Sequence, residues 1–574
     1  MMFLKENRKK LFTRFIDLAM HTFYVDTTGI QWGNHKDTLI IDGMPLCGCQ
    51  QEAQEWFQEL DLNAVEILYV YGIGLGYYYD AAKEWLHANT RHKLVFIDDD
   101  IRIIYQFLHT QKAGEIIDDH QVDIYYIKKE EHLQQLAHRL GMFFVNAGIQ
   151  VTALDYYRRH KSEAFTEIYS RFFAENGNAY ASINEIVEHN GSVFMENFSR
   201  NVWKFDGAYH GNKLCNRFRG IPAIICCGGP SLQQALPTVR SLGNKALIFA
   251  GGSALRTLND AHINPHITYG VDPSPEEYRR QFYNTSFEVP LCYTTRFCYG
   301  ALQKCHAEKV YVSSNMGYDI SQWIDEHLGI GYCNNEGGIF TSTYCLDLAR
   351  EMGCDPLIFI GMDLSSYKPR NNANANALTM ACQQNDVNGN EVSSCWEWVV
   401  GKYWLEEYIQ RYPQHRYINA IHEGLPVDGV DYVPLDDVVK SVLTKEYTIT
   451  DRVHAALQTC GRIHVANDDI RTLLTGMTQS LERCQHLCEL MKSDPSSTPE
   501  DLHNELAYTM ILRLMEYFRR VSLSREYYNV AGDPSATVQQ RIDAMDAIRK
   551  KTYTFLEEAA KNHKNILENA MECS

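Results

Sequence analysis

One pattern restricts the fold of this chain more than any other: a short apolar run, a glycine turn, then a helix-compatible segment, repeated along the sequence. Val65 to Tyr71 leads into Gly72-Ile-Gly74-Leu-Gly76, a helix candidate from about Tyr77 to Ala88, and a second apolar run, Leu94 to Ile97, closed by Asp98-Asp-Asp100. Strand, turn, helix and strand make a βαβ unit, because parallel strands need a crossover between them. Val122 to Ile127 and His132 to Leu140 extend it by a strand and a helix. A longer series follows, with strand candidates Ala223 to Cys227, Ala246 to Ala250, Ile267 to Val271, Val289 to Tyr293, Val310 to Val312 and Leu357 to Ile360. Helical segments separate most of them, which predicts a mostly parallel sheet covered on both faces. Sheets of that kind bind ligands outside the carboxyl ends of their strands.

The chain is too long for one core. Its 574 residues amount to about three or four domains. The pattern divides them into an N-terminal α/β domain with a helical linker (1–185), a central α/β domain (186–448) and a helical domain (449–574). In the last, Ile470, Leu473, Leu474, Met477, Leu481, Cys484, Cys488 and Met491 recur at three and four, one apolar helical face. A final helix runs from about Ser535 to Ala570. This domain is expected to dock, to form a homo-oligomer or to grip a partner, and none of its residues has a catalytic pattern. Charge excludes some partners: 54 Lys and Arg against 72 Asp and Glu leave a formal net of -18, which repels nucleic acid and anionic membrane surfaces. No apolar run reaches the roughly 20 residues of a transmembrane helix, and the start, with Lys5, Arg8, Lys9 and Lys10, has no signal-peptide core. The 17 Cys are scattered, without short-spaced clusters of zinc-binding type, as buried thiols of a reducing cytoplasm would be.

The chemistry is expected at the glycine loops. In Cys227-Gly228-Gly229-Pro230-Ser231 the glycines permit a tight turn, Pro230 has its φ set for a helix start, and Ser231 stands where a side-chain oxygen can cap. Unpaired N–H groups and the positive helix end would then face a phosphate above the strand. No Gly-Lys-Ser/Thr follows, so this is not a P-loop. Gly251-Gly252-Ser253 repeats the turn, Gly270-Val-Asp272-Pro273 and Gly361-Met-Asp363 end two further strands with carboxylates, and all four loops belong to one predicted sheet edge. The N-terminal Gly72-X-Gly74-X-Gly76 turn is read either as structural or as a nucleotide or methyl-donor loop, with Asp98 bonding a ribose hydroxyl or joining Asp100 around a divalent ion. The stretch NNANANALTMACQQNDVNGNEVSS, from residue 371, shows neither a helical nor a strand period and reads as a surface loop or as a flap over the site.

Four of these segments, Cys227-Gly-Gly-Pro-Ser231-Leu, Gly270-Val-Asp272-Pro273, Gly361-Met-Asp363-Leu364 and Tyr417-Ile-Asn419-Ala420-Ile-His422-Glu423-Gly424-Leu-Pro-Val-Asp-Gly429, together resemble the bacterial motility-associated factor (Maf) family. Tyr71-Gly-Ile-Gly-Leu-Gly76-Tyr and the helical tail match its three-part layout. The resemblance implies an N-terminal Rossmann-like domain, a central domain similar to CMP-sialic-acid-dependent sialyltransferases, and a C-terminal helical domain. It also implies a cytoplasmic glycosyltransferase that moves a nonulosonic acid, pseudaminic or legionaminic, from its CMP donor to Ser or Thr of flagellin before export. No tightly bound cofactor and no metal are implied.

Carried onto this sequence, Gly228, Gly229, Pro230 and Ser231 become the donor-binding turn, Gly252 and Ser253 a second donor loop, and Asp272 and Asn419 polar cleft residues. Asp363, Glu423 and His422 become the candidate bases for the acceptor hydroxyl, which needs a proton acceptor within about 3 Å. The chain departs from the pattern in three places. Cys227-Gly228-Gly229 replaces the Gly-Asn-Gly of sialyltransferases, Leu425 follows Gly424 where the family often repeats glycine, and no histidine follows Asp363-Leu364 in the Asn-rich stretch. Two other readings stay open: a pterin pyrophosphokinase-like enzyme, which would need magnesium around several phosphates, and a non-catalytic flagellin-binding assembly factor.

Overall fold

Every strand that the apolar runs predict is present, and the sheets they build are entirely parallel. A computed structural model describes residues 2–573 except 34–37, 47–49, 63–64, 146, 190, 283–287, 315–317, 332–334, 367–380, 422, 495–498 and 532–535. The chain forms two units, Met1–Ala181 with Val521–Ile548, and Ser182–Arg520 with Arg549–Ser574.

In the first unit, β1 (Ile67–Tyr71), β2 (Lys93–Asp98), β3 (Val122–Tyr126) and β4 (Ile149–Ala153) lie in the order β3-β2-β1-β4. Helix α1 (Tyr77–Ala88) makes the first crossover and starts directly after Gly76, whose φ of 87° suits glycine. All five residues of β1 are buried, as expected of a strand covered on both faces. A small antiparallel meander, Ile30–Trp32, Leu39–Ile41 and Met44–Leu46, adds to this unit.

The second unit carries a nine-stranded sheet. Its strands are β5 (Tyr209–His210), β6 (Ala223–Cys226), β7 (Leu247–Gly251), β8 (Ile267–Gly270), β9 (Leu291–Tyr293), β10 (Lys309–Tyr311), β11 (Leu357–Ile360), and, after an antiparallel hairpin of β12 (Ala381–Asn385) and β13 (Glu391–Cys395), β14 (Tyr417–Asn419) and β15 (Asp431–Tyr432). The order is β15-β14-β11-β6-β7-β8-β9-β10-β5. From β6 the chain adds strands in one direction as far as β10. It then returns to place β11 on the other side of β6, so the switch in winding direction falls between β6 and β11. Ile224, Ile248, Ile358 and Ile418 on one face of the sheet pack with Leu232, Leu236 and Leu255 of the covering helices. Cys226 and Cys227 are buried free thiols. Both units are Rossmann-like α/β structures, and the described residues from 449 on form helices and no further strand: Ile449–Cys460, Asn467–Ser493, Arg513–Ala531 and Val538–Glu572 are the main ones.

The Asn-rich stretch corrects the sequence reading. Residues 371–380 of it lie outside the described residues, and from 381 onward it forms β12 and most of β13, paired from Ala381↔Cys395 to Asn385↔Glu391. Its polar strands, Gln383-Gln384 opposite Ser393 and Val392, have too few apolar residues to show a period of two. The turn holds them in register, because Asp386 Oδ1 accepts from the amides of Asn388 at 2.9 Å and Asn390 at 2.8 Å.

Candidate functional site

The switch point carries a cavity of about 690 Å³. Its floor consists of the strand ends: Cys227 to Pro230 after β6, Gly251 at the end of β7 with Gly252 and Ser253 after it, Asp272 after β8, and Gly361 to Ser366 after β11. The first turns of two helices complete it, α2 (Thr341–Glu351) with Thr341 and Ser342, and α3 (Trp396–Arg411) with Glu397 and Trp398. Open parallel sheets place ligands here because loops on either side of the reversal diverge and leave a crevice.

Close backbone approach explains the glycines. A Cβ on Gly229 would fall on Asp363 Oδ2 and on the Gly361 carbonyl oxygen, and one on Gly228 would fall on Ser253 Oγ. Asp363, only 4% exposed, sends Oδ2 to the Ser231 amide at 2.9 Å. Burial raises its carboxyl above the ordinary aspartate range; the Ser231 bonds pull it back down, and Glu423 pushes it further up. Its neighbour Leu364 holds a φ of 52°, an uncommon conformation for a branched side chain that costs on the order of 1–3 kcal/mol. The surroundings hold that conformation: Ser394 Oγ donates to the Leu364 carbonyl at 2.7 Å, and the Leu425 amide to the Asp363 carbonyl at 2.9 Å. Ser366 and Ser393 also form a β-bridge, so the hairpin is fastened to the rim of the cavity.

Of the residues singled out in the sequence, Gly228, Gly229, Pro230, Gly252, Ser253, Asp272 and Asp363 line this cavity. Ser231 does not cap its helix: Pro230 holds the cap position without a side-chain bond, and the Ser231 backbone N–H goes to Asp363. The expected phosphate-facing amide is therefore occupied by a carboxylate of the protein itself. Asn419 lies buried below the floor, where its Nδ2 donates to the Met362 carbonyl at 3.0 Å. Glu423 is exposed and acts on Asp363 through its charge without lining the cavity. His422 lies outside the described residues. Asp272 Oδ1 accepts from the Ser274 amide at 2.9 Å, which fixes the turn after β8.

Sequence reasoning missed Thr341, Ser342, Ser365, Glu397 and Trp398. A signal for the first two exists, since Gly337-Gly338 precedes Thr341-Ser-Thr343 as another glycine pair before a helix.

The N-terminal glycine turn proves to be filled by the protein. A Cβ on Gly72 would enter the Tyr157 ring, and one on Gly74 would lie 2.9 Å from Leu154 Cδ2. Asp98 is fully buried: its oxygens accept from the Tyr157 hydroxyl at 2.9 and 2.8 Å, the Ile73 amide at 3.0 Å and the Asp100 amide at 2.9 Å. It has no oxygen left for a ribose, and Asp100 is engaged by Arg102, so neither ligand role read from the sequence fits. Burial first, and then the charge of Asp99, push the Asp98 carboxyl up to about 7.

A parallel α/β sheet with a polar crevice over glycine turns at its switch point defines a Rossmann-like fold, with the crevice where open sheets of this kind place their ligands. Residues 192–369 match the family model for 6-hydroxymethylpterin diphosphokinase MptE-like proteins. Among solved structures the chain is similar to the MAf glycosyltransferase from Magnetospirillum magneticum AMB-1, with 12% identity and a TM-score of 0.49 over 99% of this chain and 95% of that one. No curated protein matches.

Proposed function

We propose that this chain is a glycosyltransferase that moves a nonulosonic acid of pseudaminic or legionaminic type from its CMP donor to a Ser or Thr hydroxyl of flagellin, in the cytoplasm. The observation that carries the reading is the composition of the switch-point cavity. Among its described lining residues are three carboxylates, Asp272, Asp363 and Glu397, and neither lysine nor arginine. A CMP-linked nonulosonic acid brings one phosphodiester and one sugar carboxylate to that crevice, two separated charges that backbone amides and hydroxyls can meet one at a time, whereas a nucleoside diphosphate concentrates its charge on adjacent phosphates that are usually held with a metal ion or basic side chains. The cavity volume lies within the usual range for small-molecule sites. The four sequence motifs that resemble the Maf family support the same reading, and three of them end at this cavity.

In the reaction, the bond from the anomeric carbon to the phosphate oxygen breaks and a bond to the acceptor oxygen forms. CMP leaves with the bonding electrons, and the acceptor proton passes to a protein base. Asp363 is suited to the last step, because burial that raises its pKa makes it a better proton acceptor than an ordinary aspartate. Glu423 is the second candidate.

Mass spectrometry of flagellin co-expressed with the chain in cells that make the activated sugar tests the proposal. The wild type should add the glycan mass, and Asp363→Asn or Glu423→Gln should lower transfer about 10² to 10⁴-fold with donor affinity nearly unchanged. Unmodified flagellin despite verified donor would refute it. Full transfer in both variants would remove the carboxylate base. The match of residues 192–369 favours a second reading, diphosphoryl transfer to a pterin. It predicts ATP binding that requires magnesium, whereas the glycosyltransferase reading predicts CMP binding in EDTA.

A further inference from the structure

In the turn with the strongest sequence signature for an anion, two of the amides are already engaged by the protein. Pro230 has no N–H, the Gly229 amide donates to the Gly361 carbonyl at 2.9 Å, and the Ser231 amide donates to Asp363 Oδ2 at 2.9 Å. A phosphate there would meet the Asp363 carboxyl in place of the amides. The other long helix that begins at the cavity on the glycine-turn side is α2, and its first turn is presented differently. Thr341 and Ser342 line the cavity, and as the first two helical residues their amides have no intrahelical acceptor. The helix entry is fixed: the Thr343 amide and Oγ1 both donate to the Phe340 carbonyl, at 3.0 and 2.6 Å, and the Gly338 amide donates to Thr343 Oγ1 at 2.9 Å. Its start lies against the second glycine turn, since a Cβ on Gly251 would strike Thr341 Cγ2.

A second observation, independent of the helix, points to a ligand in the same cavity. Ser365 is 2% exposed, lines the cavity, and its Oγ has no hydrogen-bond partner among the described residues. A buried hydroxyl left in that state is unfavourable unless something else supplies the bond. We propose that the first turn of α2, through the Thr341 and Ser342 amides, together with the Ser365 hydroxyl, forms the subsite for the ligand's phosphate ester. The inference rests on the reading of this cavity as a nucleotide site. It assigns a singly charged phosphate to two amides and a hydroxyl, away from the carboxylate that occupies the neighbouring helix start.

Isothermal titration of the full chain in EDTA, with CMP and cytidine as paired probes, measures what the phosphate contributes. Thr341→Pro deletes one amide at the first helical position, where proline is tolerated, and Phe340 before it already has the extended φ of -110° and ψ of 152° that proline requires. Ser365→Ala deletes the hydroxyl, and Thr341→Val controls for the lost threonine side chain. The expected result is that CMP binds the wild type at least about tenfold more tightly than cytidine, and that this ratio falls about fivefold or more in Thr341→Pro and in Ser365→Ala. Wild-type ratios in both variants, with thermal unfolding unchanged, would overturn the subsite while leaving the glycosyltransferase reading intact. If CMP does not bind but UMP, GMP or inorganic phosphate binds in a manner sensitive to the same two substitutions, the subsite stands and the donor reading falls. Failure of the wild type to bind any of these anions would overturn the subsite as well.

Discussion

Asp363 does two jobs that pull in opposite directions. Its Oδ2 fastens the turn after β6 by accepting from the Ser231 amide, and its carboxyl faces the cavity with a raised pKa. The two roles can be separated by substitution. Asparagine keeps an oxygen for the Ser231 amide, but alanine leaves that amide without its acceptor, so Asp363→Ala should cost about 1–3 kcal/mol of stability and Asp363→Asn clearly less. Urea unfolding at neutral pH measures the difference, and equal losses would show that the Ser231 bond contributes nothing. Gly229→Ala should be worse than either, because its Cβ would fall on the carboxylate and on the Gly361 carbonyl at once, and backbone cannot yield as a flexible side chain does. Its expected signature is a lower unfolding temperature together with loss of the CMP binding proposed for the cavity.

Among the elements, the strand that ends at Asp98 shows how a nucleotide-type turn becomes a structural lock. Tyr157, from the helix Asp155–His160 that follows β4, fills the turn and donates to Asp98. Because the folded-state carboxyl titrates near 7 and an unfolded aspartate near 3.8, the native state holds the extra proton between about pH 4 and 7. The stabilisation is complete at the acid end and is lost as pH rises through 7, the reverse of a salt-bridged carboxylate, with a slope of at most about 1.4 kcal/mol per pH unit. Hydrogen exchange across residues 67–98 should show protection falling from pH 5 to 8 once intrinsic rates are corrected, and Asp98→Asn should flatten the trend. An unchanged slope in Asp98→Asn would assign it to another group. The sequence carried the elements well where apolar runs are continuous: α1 spans Tyr77–Ala88 as expected, and the six central strands stand within about two residues of their predicted ends. It did not carry the filling of the Gly72 turn, since Tyr157 is remote in sequence and nothing local marks it as the partner of Asp98. The β12–β13 hairpin was hidden by its polar composition. The strand ends of the cavity were legible one by one, but the switch point that gathers them depends on β11 returning beside β6, a long-range choice that no local pattern encodes.

For the molecule as a whole, the helical residues after 449 finish the sheet of the second unit. β5, at one edge, would otherwise present unpaired backbone groups. The segment Gly461–Ile463 covers that edge: Tyr209 bridges Arg462, the His210 amide donates to the Gly461 carbonyl at 3.1 Å, and the Ile463 amide to the Ala208 carbonyl at 2.7 Å. Arg462 adds a cation–π contact with its guanidinium carbon 4.2 Å from the Tyr209 ring centre, and its Nη2 bonds the Tyr209 hydroxyl at 3.1 Å. Val453, Leu457 and Ile463 are buried beside it, each worth about 1.5–3 kcal/mol of apolar burial. A chain ending at residue 448 is therefore expected to lose more than the helices themselves. It should unfold at a lower temperature and associate through the exposed β5 edge, as light scattering and thermal melts would detect. Leu457→Ala in the full chain is the gentler version, expected to cost about 2–5 kcal/mol. If the truncated chain remained monomeric and nucleotide-competent with an unchanged melting temperature, the cover over β5 would be incidental. If both variants weaken CMP binding only in proportion to their loss of stability, the segment supports the site by completing the sheet and takes no direct part in it.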